Sequence, residues 1–363
     1  TTCAGCSTSA DCAGFPATSV CDANGGCRGC VLDSECESEI CNTDGTCRDA
    51  TTVLYVDTMG TDVGTCAKSA PCLTLQFALT QANGVQHVVI RPGEYLFATE
   101  VLISATTTPA TALVVHGTGA TLSGGDTTVL GSVLETSGDV PLDLRGVTLT
   151  RYQVDPTFLR YPQCISAVNA RLSNVQFDDC STAQLLDSEL EDFVASNVSL
   201  SIGGASARIE RGSVRQGQIT VSSVQVGLPV ATIKNVSVFT TDQPSLSITN
   251  AQCTVRLSSF YSTSNGPAIS CRNPTELNMR SSVVWAPGRQ AVQTCTNIND
   301  SIVGPLKLAF LDNSDPVFVD DRLHIGLSSA AIDRVACGID DTIDFEGTQR
   351  PSGVRCDYGS DER

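Results

Sequence analysis

From about residue 110 onward the chain repeats a short pattern of alternating apolar and polar positions, a small turn residue, and a second short strand. A period of two predicts strands with one buried face. The copies are LDLRGVTL (142–149), ARLSNVQF (170–177), FVASNVSL (193–200), ARIERGSV (207–214), ATIKNVSV (231–238), TVRLSSFY (254–261) and LNMRSSVV (277–284).

The spacing of these copies predicts a solenoid. Most neighbouring turn residues are 23 positions apart, a loop insertion explains the longer step after Gly146, and the shorter step from Asn197 to Gly212 has no explanation in the sequence. Short-strand repeats of this length bury a core only when stacked, each strand pairing with its equivalent in the next coil. The predicted turn residues are Gly146, Asn174, Asn197, Gly212, Asn235, Ser258 and Ser281.

The segment before these repeats predicts an N-terminal cap at about 66–97. Residues 53–57 (VLYVD) and 87–97 (HVVIRPGEYLF) have strand patterns, and 73–82 (LTLQFALTQA) has the apolar spacing of a helix. A short helix here would cover the open end of the solenoid, whose unpaired backbone groups otherwise invite aggregation.

Cysteines divide the chain into two predicted domains, 1–49 and 50–363. Nine of the 18 cysteines lie within residues 3–47, where two four-cysteine copies follow one another. Disulfides in so short a module are typical of extracellular proteins, although a zinc site at Cys27-x2-Cys30 is an alternative. The chain opens at Thr1, and we expect a signal peptide to have been removed.

Pairing of neighbours suggests the remaining disulfides. It leaves Cys3 and Cys295, which would join either two regions of one chain or two chains in a head-to-tail filament. The candidate pairs are Cys66–Cys72, Cys164–Cys180, Cys253–Cys271 and Cys337–Cys356.

The composition limits the classes of binding partner that the protein is expected to have. Apolar residues make up 41% of the chain, enough for a substantial core, and the net charge is −17. Nucleic acid is an unfavourable partner for such an acidic protein, and no apolar run is long enough for a transmembrane helix. Polysaccharide and further copies of the chain remain candidate partners.

The entry and exit of the body resemble secreted bacterial surface proteins of the pectin-lyase-like superfamily. At the entry, Pro71, Thr74, Leu75, Gln76, Ala78 and Leu79 match a "P-x-x-T-[IL]-Q-x-A-[IL]" helix, and 88–95 matches a "V-x-[IV]-x-P-G-x-Y" strand. At the exit, residues 330–362 are similar to the C-terminal segment of surface-anchored β-helix proteins, and the cysteine module to repeats of myxobacterial secreted proteins. The resemblance implies an all-β, right-handed parallel β-helix with a C-terminal cap at about 330–363.

Relatives of this fold include enzymes that cleave acidic polysaccharides, and some of the residue types that such enzymes use are present in this chain. Asp178-Asp179 could supply two carboxylates, but no Gly-His-Gly or Arg-x-Lys accompanies them. The acidic run from Asp187 to Asp192 and the arginines one coil later, Arg208, Arg211 and Arg215, could form a lyase-like site or a solvated ion-paired edge. The edge is the preferred interpretation, and no catalytic residue is assigned.

Several polar residues are candidates for other sites. The spacing of Asp340, Asp341 and Asp344 is compatible with a structural Ca²⁺, and capping turns are the alternative; no other cofactor is expected. His87, His116 and His324 have strand-like neighbours and are interpreted as strand residues. Tyr152, Phe158 and Tyr161 form a sugar platform or a lid over the core. Candidate glycan acceptors are Asn197, Asn235 and Asn299.

The combined expectation is an extracellular or cell-surface protein without enzymatic activity. It would act as a rigid spacer, an adhesin or a self-associating fibre subunit. The alternative is a β-helix that binds or cleaves polysaccharide along its lateral face.

Overall fold

The structure is a computed structural model. It describes residues 5–12, 20–42, 44–82, 87–97, 99–108, 112–124, 132–151, 163–222, 230–272, 276–305, 314–338, 341–351, 353 and 355–362.

Strands dominate the described chain, with one short α-helix and three 3₁₀ turns. The 3₁₀ turns are Ser9–Cys12, Asp33–Glu35 and Ala50–Thr52, and α1 is Leu75–Thr80. The strands are β1 (Val20–Cys21), β2 (Cys27–Arg28), β3 (Val53–Val56), β4 (His87–Ile90), β5 (Gly93–Phe97), β6 (Val101–Ile103), β7 (Leu113–Gly124), β8 (Ser132–Thr136), β9 (Leu142–Arg151), β10 (Gln163–Val168), β11 (Ala170–Ser173), β12 (Gln176–Asp178), β13 (Thr182–Leu186), β14 (Glu189–Ser196), β15 (Ser199–Gly203), β16 (Ser206–Arg215), β17 (Ile219–Ser222), β18 (Val230–Thr240), β19 (Leu246–Thr249), β20 (Gln252–Arg256), β21 (Ser259–Ser262), β22 (Ile269–Arg272), β23 (Glu276–Arg280), β24 (Val283–Trp285), β25 (Val292–Gln293), β26 (Ile298–Asn299) and β27 (Ile302–Gly304).

The strands form a parallel β-helix, as the sequence predicts. A nine-stranded sheet runs in the order β25-β22-β19-β17-β15-β13-β10-β8-β6, and a sixteen-stranded sheet takes the remaining strands from β3 onward. Successive coils pair in parallel in both sheets, and the paired strands of the described chain are antiparallel only in the β1–β2 hairpin. The fold class is therefore all-β.

The turn column of the larger sheet corrects the predicted repeat register. Asn197, Gly212 and Ser258 are not the equivalent turn residues that the sequence suggested; Asp192, Arg211 and Leu257 hold those places with positive φ. The short step from Asn197 to Gly212 therefore needs no explanation, because these two residues are not equivalent positions. The column is Gly146, Asn174, Asp192, Arg211, Asn235, Leu257, Ser281 and Asp300.

One continuous apolar core runs between the sheets, from Leu54 in the first coil to Val303 in the last. The predicted helix is present but shorter than 73–82. Thr74 caps its N-terminus by accepting a hydrogen bond from the backbone N–H of Phe77, which fixes where the helix begins. Leu75, Ala78 and Leu79 are buried against the first coils.

Eight disulfides staple the described chain, and one predicted pair is wrong. Cys271 pairs with Cys295, so Cys253 is a free, buried thiol, and Cys295 cannot link two chains. Cys3 lies outside the described residues. The other bonds are Cys6–Cys21, Cys12–Cys27, Cys30–Cys41, Cys36–Cys47, Cys66–Cys72, Cys164–Cys180 and Cys337–Cys356.

The described part of the cysteine-rich module (residues 1–49) packs on the first coils through its second four-cysteine copy. Ile40 forms a small apolar cluster with Val53, Tyr55 and Val89, on the side of β3 and β4 that faces away from the main core. The Tyr55 hydroxyl donates to the Ser38 carbonyl at 3.0 Å. The module is therefore docked against the sheet.

The C-terminal segment, residues 314–362, lies against the outer face of the same sheet at its other end. Val194 and Val283 occupy one outward column, yet Val194 is 42% exposed and Val283 is fully buried. The difference arises because Ile325 and Ala331 cover Val283. None of the described helices is long and apolar enough to cross a membrane.

Candidate functional site

The outer face of the larger sheet carries most of the charged residues that the sequence analysis selected. Parallel pairing places equivalent side chains of successive coils about 4.8 Å apart, so one register position forms a column. One such column, in order along the axis, is His116, Arg145, Ser173, Glu191, Glu210, Lys234, Arg256 and Arg280.

Ion pairs neutralise the middle of this column. Glu191 pairs with Arg171 at 3.2 Å and with Arg211 at 3.5 Å, and Arg211 also pairs with Asp192 at 2.6 Å. The hydrogen bond with Asp192 is the main cause of the raised pKa of Arg211. The carboxylates that a Ca²⁺-dependent lyase would need are therefore occupied by guanidinium groups.

The fold divides the acidic run from Asp187 to Asp192, for which an ion-paired edge is the interpretation preferred from the sequence. The Asp187 carboxylate accepts the Ser206 backbone N–H at 3.0 Å at a separate corner. Arg208 lies beside Glu189 in register and pairs with Glu210, whereas Arg215 pairs with Asp321 of the C-terminal segment. The structure thus brings Glu191, Asp192 and Arg211 together but not the whole set.

The C-terminal segment completes the ion-pair column. Lys234 lies 3.5 Å from Glu210 and 3.3 Å from Asp341, and Arg256 also pairs with Asp341. Asp341 is 1% exposed. A carboxylate from a distant part of the chain therefore neutralises two adjacent cationic coils, which would otherwise repel each other.

The two described members of the predicted calcium set, Asp341 and Asp344, each have protein partners. One oxygen of Asp344 accepts the backbone N–H groups of Glu346 and Thr348 at 2.9 and 2.7 Å, the geometry of a capping turn. Asp340 lies outside the described residues. Among the described residues, no three carboxylates converge closely enough to hold one ion. Structural Ca²⁺ stays an untested prediction.

The described cysteine clusters also leave no thiolate for zinc. Cys27 and Cys30, the pair considered as a zinc site, are each in a disulfide. A disulfide sulfur cannot supply the thiolate that zinc requires.

A buried ion pair that the sequence analysis missed anchors the C-terminal segment. Arg350 and Glu362 have fully buried side chains 3.4 Å apart, and Arg350 also donates to the carbonyl of Gly359 at 3.0 Å. Burial lowers the pKa of Arg350, while Glu362 and nearby aspartates act in the opposite direction. Both residues belong to the 330–362 segment, which carries a resemblance in the sequence but no sign of this pairing.

The Asp178–Asp179 pair lies where β12 ends in a turn. Burial, and then the charge of Asp179, raises the pKa of Asp178. Asp179 is a turn residue with positive φ and accepts a 2.7 Å hydrogen bond from the Asn197 amide. The pair directly precedes Cys180 of the Cys164–Cys180 disulfide.

The predicted glycan acceptors differ in solvent exposure. Asn235 is 1% exposed, and its amide donates to the Ile343 carbonyl at 2.8 Å, so it cannot carry a glycan in the folded chain. Asn197 is exposed at a turn and Asn299 is exposed on β26. These two sites stay predictions.

An aromatic ladder accompanies the C-terminal segment. Phe239, Tyr261 and Trp285 share one register position on consecutive coils, and the rings of Phe239 and Tyr261 stack 5.6 Å apart. Phe318 contacts Tyr261 edge-on at 5.7 Å. Because these ring faces cover one another, they hold the segment rather than offer a flat sugar platform. The predicted platform, Tyr152, Phe158 and Tyr161, lies outside the described residues.

The outer face of the nine-stranded sheet has a different character. From β10 to β25 one outward register position carries only uncharged polar side chains. This column is Ser166, Gln184, Ser201, Thr220, Ser247, Ser270 and Gln293.

The similarity of this chain to known proteins gives little information about its activity. No protein-family model matches the chain, and no curated protein matches it. A solved structure titled "Crystal structure of pectate lyase Pel9A" aligns with 12% identity and a TM-score of 0.44, covering 87% of this chain and 98% of that one. A likeness this distant assigns no residue and no activity to this chain.

Proposed function

We propose that the protein is a non-enzymatic extracellular structural protein in which the β-helix is a rigid spacer that presents surfaces at the cell exterior. The observation that carries this proposal is the set of ion pairs on the outer face of the larger sheet. Glu191 pairs with Arg211, Lys234 pairs with Glu210, and the C-terminal segment adds Asp341 as a second partner of Lys234.

Two further features favour this role. Eight disulfides in the described chain suit an oxidising compartment outside the cytosol. The continuous core and the in-register ladders make each coil support the next, which stiffens a solenoid along its axis. The finer expectations of a myxobacterial-type repeat and a surface anchor belong to this proposal and rest on the sequence resemblance alone.

The test is an activity and binding assay of the full chain on a uronate polymer and on a neutral glucan, each with and without Ca²⁺. We expect no new reducing ends and no unsaturated sugar products. Turnover by the wild type that is lost in Arg211→Met but kept in Arg322→Met would overturn the proposal. Arg322 is the matched control because it also pairs with a carboxylate, Glu346, away from the column.

Polysaccharide binding without cleavage is the second candidate, and the uncharged column on the nine-stranded sheet favours it. The same samples test it by co-sedimentation with insoluble polysaccharide. Binding that is lost in Thr220→Lys and kept in Thr121→Lys, a change on the other sheet, would establish this function. Absence of sedimentation with every polymer would leave the spacer role.

A further inference from the structure

Two histidines and an arginine link the cysteine-rich module to the sheet. The Arg48 guanidinium, from the module, contacts Nε2 of His87 on β4. Nδ1 of His87 lies 3.5 Å from Nε2 of His116 on β7, and the two rings stack with centroids 5.7 Å apart. Both histidines are buried, at 9% and 7% exposure.

This chain of contacts fixes the protonation of both rings. Arginine is only a donor, so Nε2 of His87 must be an unprotonated acceptor. The proton of a neutral His87 is then on Nδ1, which donates to Nε2 of His116 and requires that nitrogen to be unprotonated as well. The contacts are satisfied only when both imidazoles are neutral.

The groups around the rings give little support to a positive charge. Arg48 and Asp33 face them from the module, and Asp143 and Arg145 face them from β9. Asp143 is engaged with Arg145 at 3.0 Å. Among the described residues, neither ring has a hydrogen bond to a carboxylate, so protonation would add a cation between two arginines.

We propose that the Arg48–His87–His116 chain is an acid-sensitive latch, which holds the cysteine-rich module on the sheet at neutral pH and weakens that docking on acidification. Protonated His87 would present an N–H to the N–H of Arg48, and like charges would meet at the interface. No histidine takes part in the other described docking contacts. Tyr55 bonds Ser38, Ile40 packs against Val89, and Glu39 of the module pairs with Lys68 at 3.2 Å and with Arg91 at 3.4 Å.

The direction of the pKa shifts agrees with this geometry. Burial, and then the charge of Arg48, lowers the pKa of His87 to about 4. Burial, and then Arg145, lowers that of His116. A lowered folded-state pKa means that the contribution to stability is complete above the unfolded value of 6.5 and is lost as the pH falls toward 4.

Hydrogen exchange of the full disulfide-bonded chain tests the latch. Protection of residues 38–48 is measured at pH 7.5 and pH 4.5, corrected for intrinsic exchange, with residues 230–240 as an internal reference. We expect the module segment to lose protection by at least about tenfold at pH 4.5, more than the reference.

The matched variant is His87→Gln. Its amide keeps an acceptor for Arg48 and a donor for His116 but cannot be protonated. We expect its protection at 38–48 to change much less with pH than in the wild type. Unchanged protection in the wild type, or an equal loss in His87→Gln, would overturn the proposal.

A second measurement does not need the variant to fold. Side-chain nitrogen NMR of the wild type resolves three histidines. We expect His87 and His116 to be neutral at pH 6, with the proton on Nδ1, while His324 is protonated. Ordinary titration of all three near 6.5 would also overturn the latch.

Discussion

The two ends of the chain dock on the same outer sheet face with opposite electrostatics. The cysteine-rich module uses His87 and His116 in their neutral forms, next to Arg48. The C-terminal segment places His324 between two carboxylates, Asp320 and Glu346, with its ring nitrogens 2.5 and 3.0 Å from them. The same residue type thus accepts a hydrogen bond from an arginine at one end and lies between two carboxylates at the other.

This difference shows that the neighbours of a histidine act together with its burial to determine how it responds to pH. Burial alone would lower the pKa of His324, but its hydrogen bonds with Asp320 and Glu346 outweigh burial and raise it. At His87, burial and Arg48 act in the same direction. Acid should therefore weaken docking at the N-terminal end and strengthen the His324 contacts.

The largest expected effect concerns the anchor of the C-terminal segment. Arg350→Met should destabilise the protein by about 3–5 kcal/mol, because it leaves Glu362 buried without its cation. Urea unfolding at pH 7 measures the change. Arg322→Met is the control, and removing its exposed pair with Glu346 should cost at most about 1 kcal/mol. Equal effects of the two changes would contradict the assigned anchor.

The corresponding apolar anchor of the module should have a slightly smaller effect. Ile40→Ala should cost about 2–4 kcal/mol, because Ile40 is 1% exposed against Val53, Tyr55 and Val89. Leu32→Ala, at a residue 60% exposed, is the control and should be nearly neutral. Unfolding should be followed by exchange at residues 38–56. A null result for Ile40→Ala would mean that the module is not docked through this cluster.

The regular parts of the molecule could be predicted from the sequence better than the turns that connect its strands. Alternation and the helix at Leu75–Thr80 are visible in the sequence because core-facing positions must be apolar, so the coils and cap could be predicted. The turn column could be predicted only in part, because Arg211 and Leu257 adopt positive φ without being small residues. Their conformation is imposed by pairing on both sides.

Contacts between residues that are far apart in the sequence could not be predicted for a related reason. Cys253 and Cys295 both flank Cys271 in sequence, and only the strand register brings Cys295 to it. The His87–His116 contact likewise joins strands of successive coils, and Asp341 meets Lys234 only after the C-terminal segment folds back. Sequence distance carries no information about any of these contacts.

The two docked ends are expected to respond to pH in opposite directions, and a change at His324 separates the two responses. In His324→Gln, the rise of local stability on acidification from pH 8 to pH 6 should disappear. A raised folded-state pKa contributes stability that is complete below the unfolded value of 6.5 and is lost as the pH rises through the folded value. Hydrogen exchange of residues 320–326 measures this. The response of residues 38–48 should be unchanged, and its loss would show that the two ends are coupled.

The smallest expected effect isolates one hydrogen bond of the docked module. Tyr55→Phe removes the 3.0 Å bond to the Ser38 carbonyl and should cost about 0.5–1.5 kcal/mol at any pH between 5 and 8. Tyr95→Phe is the matched control, because its hydroxyl bonds the Arg91 carbonyl at 2.9 Å within the first coils. Both changes should lower global stability similarly, but only Tyr55→Phe should reduce protection at residues 38–48. If both reduced it equally, docking would be inseparable from the stability of the first coils, and the latch would act on the whole N-terminal end.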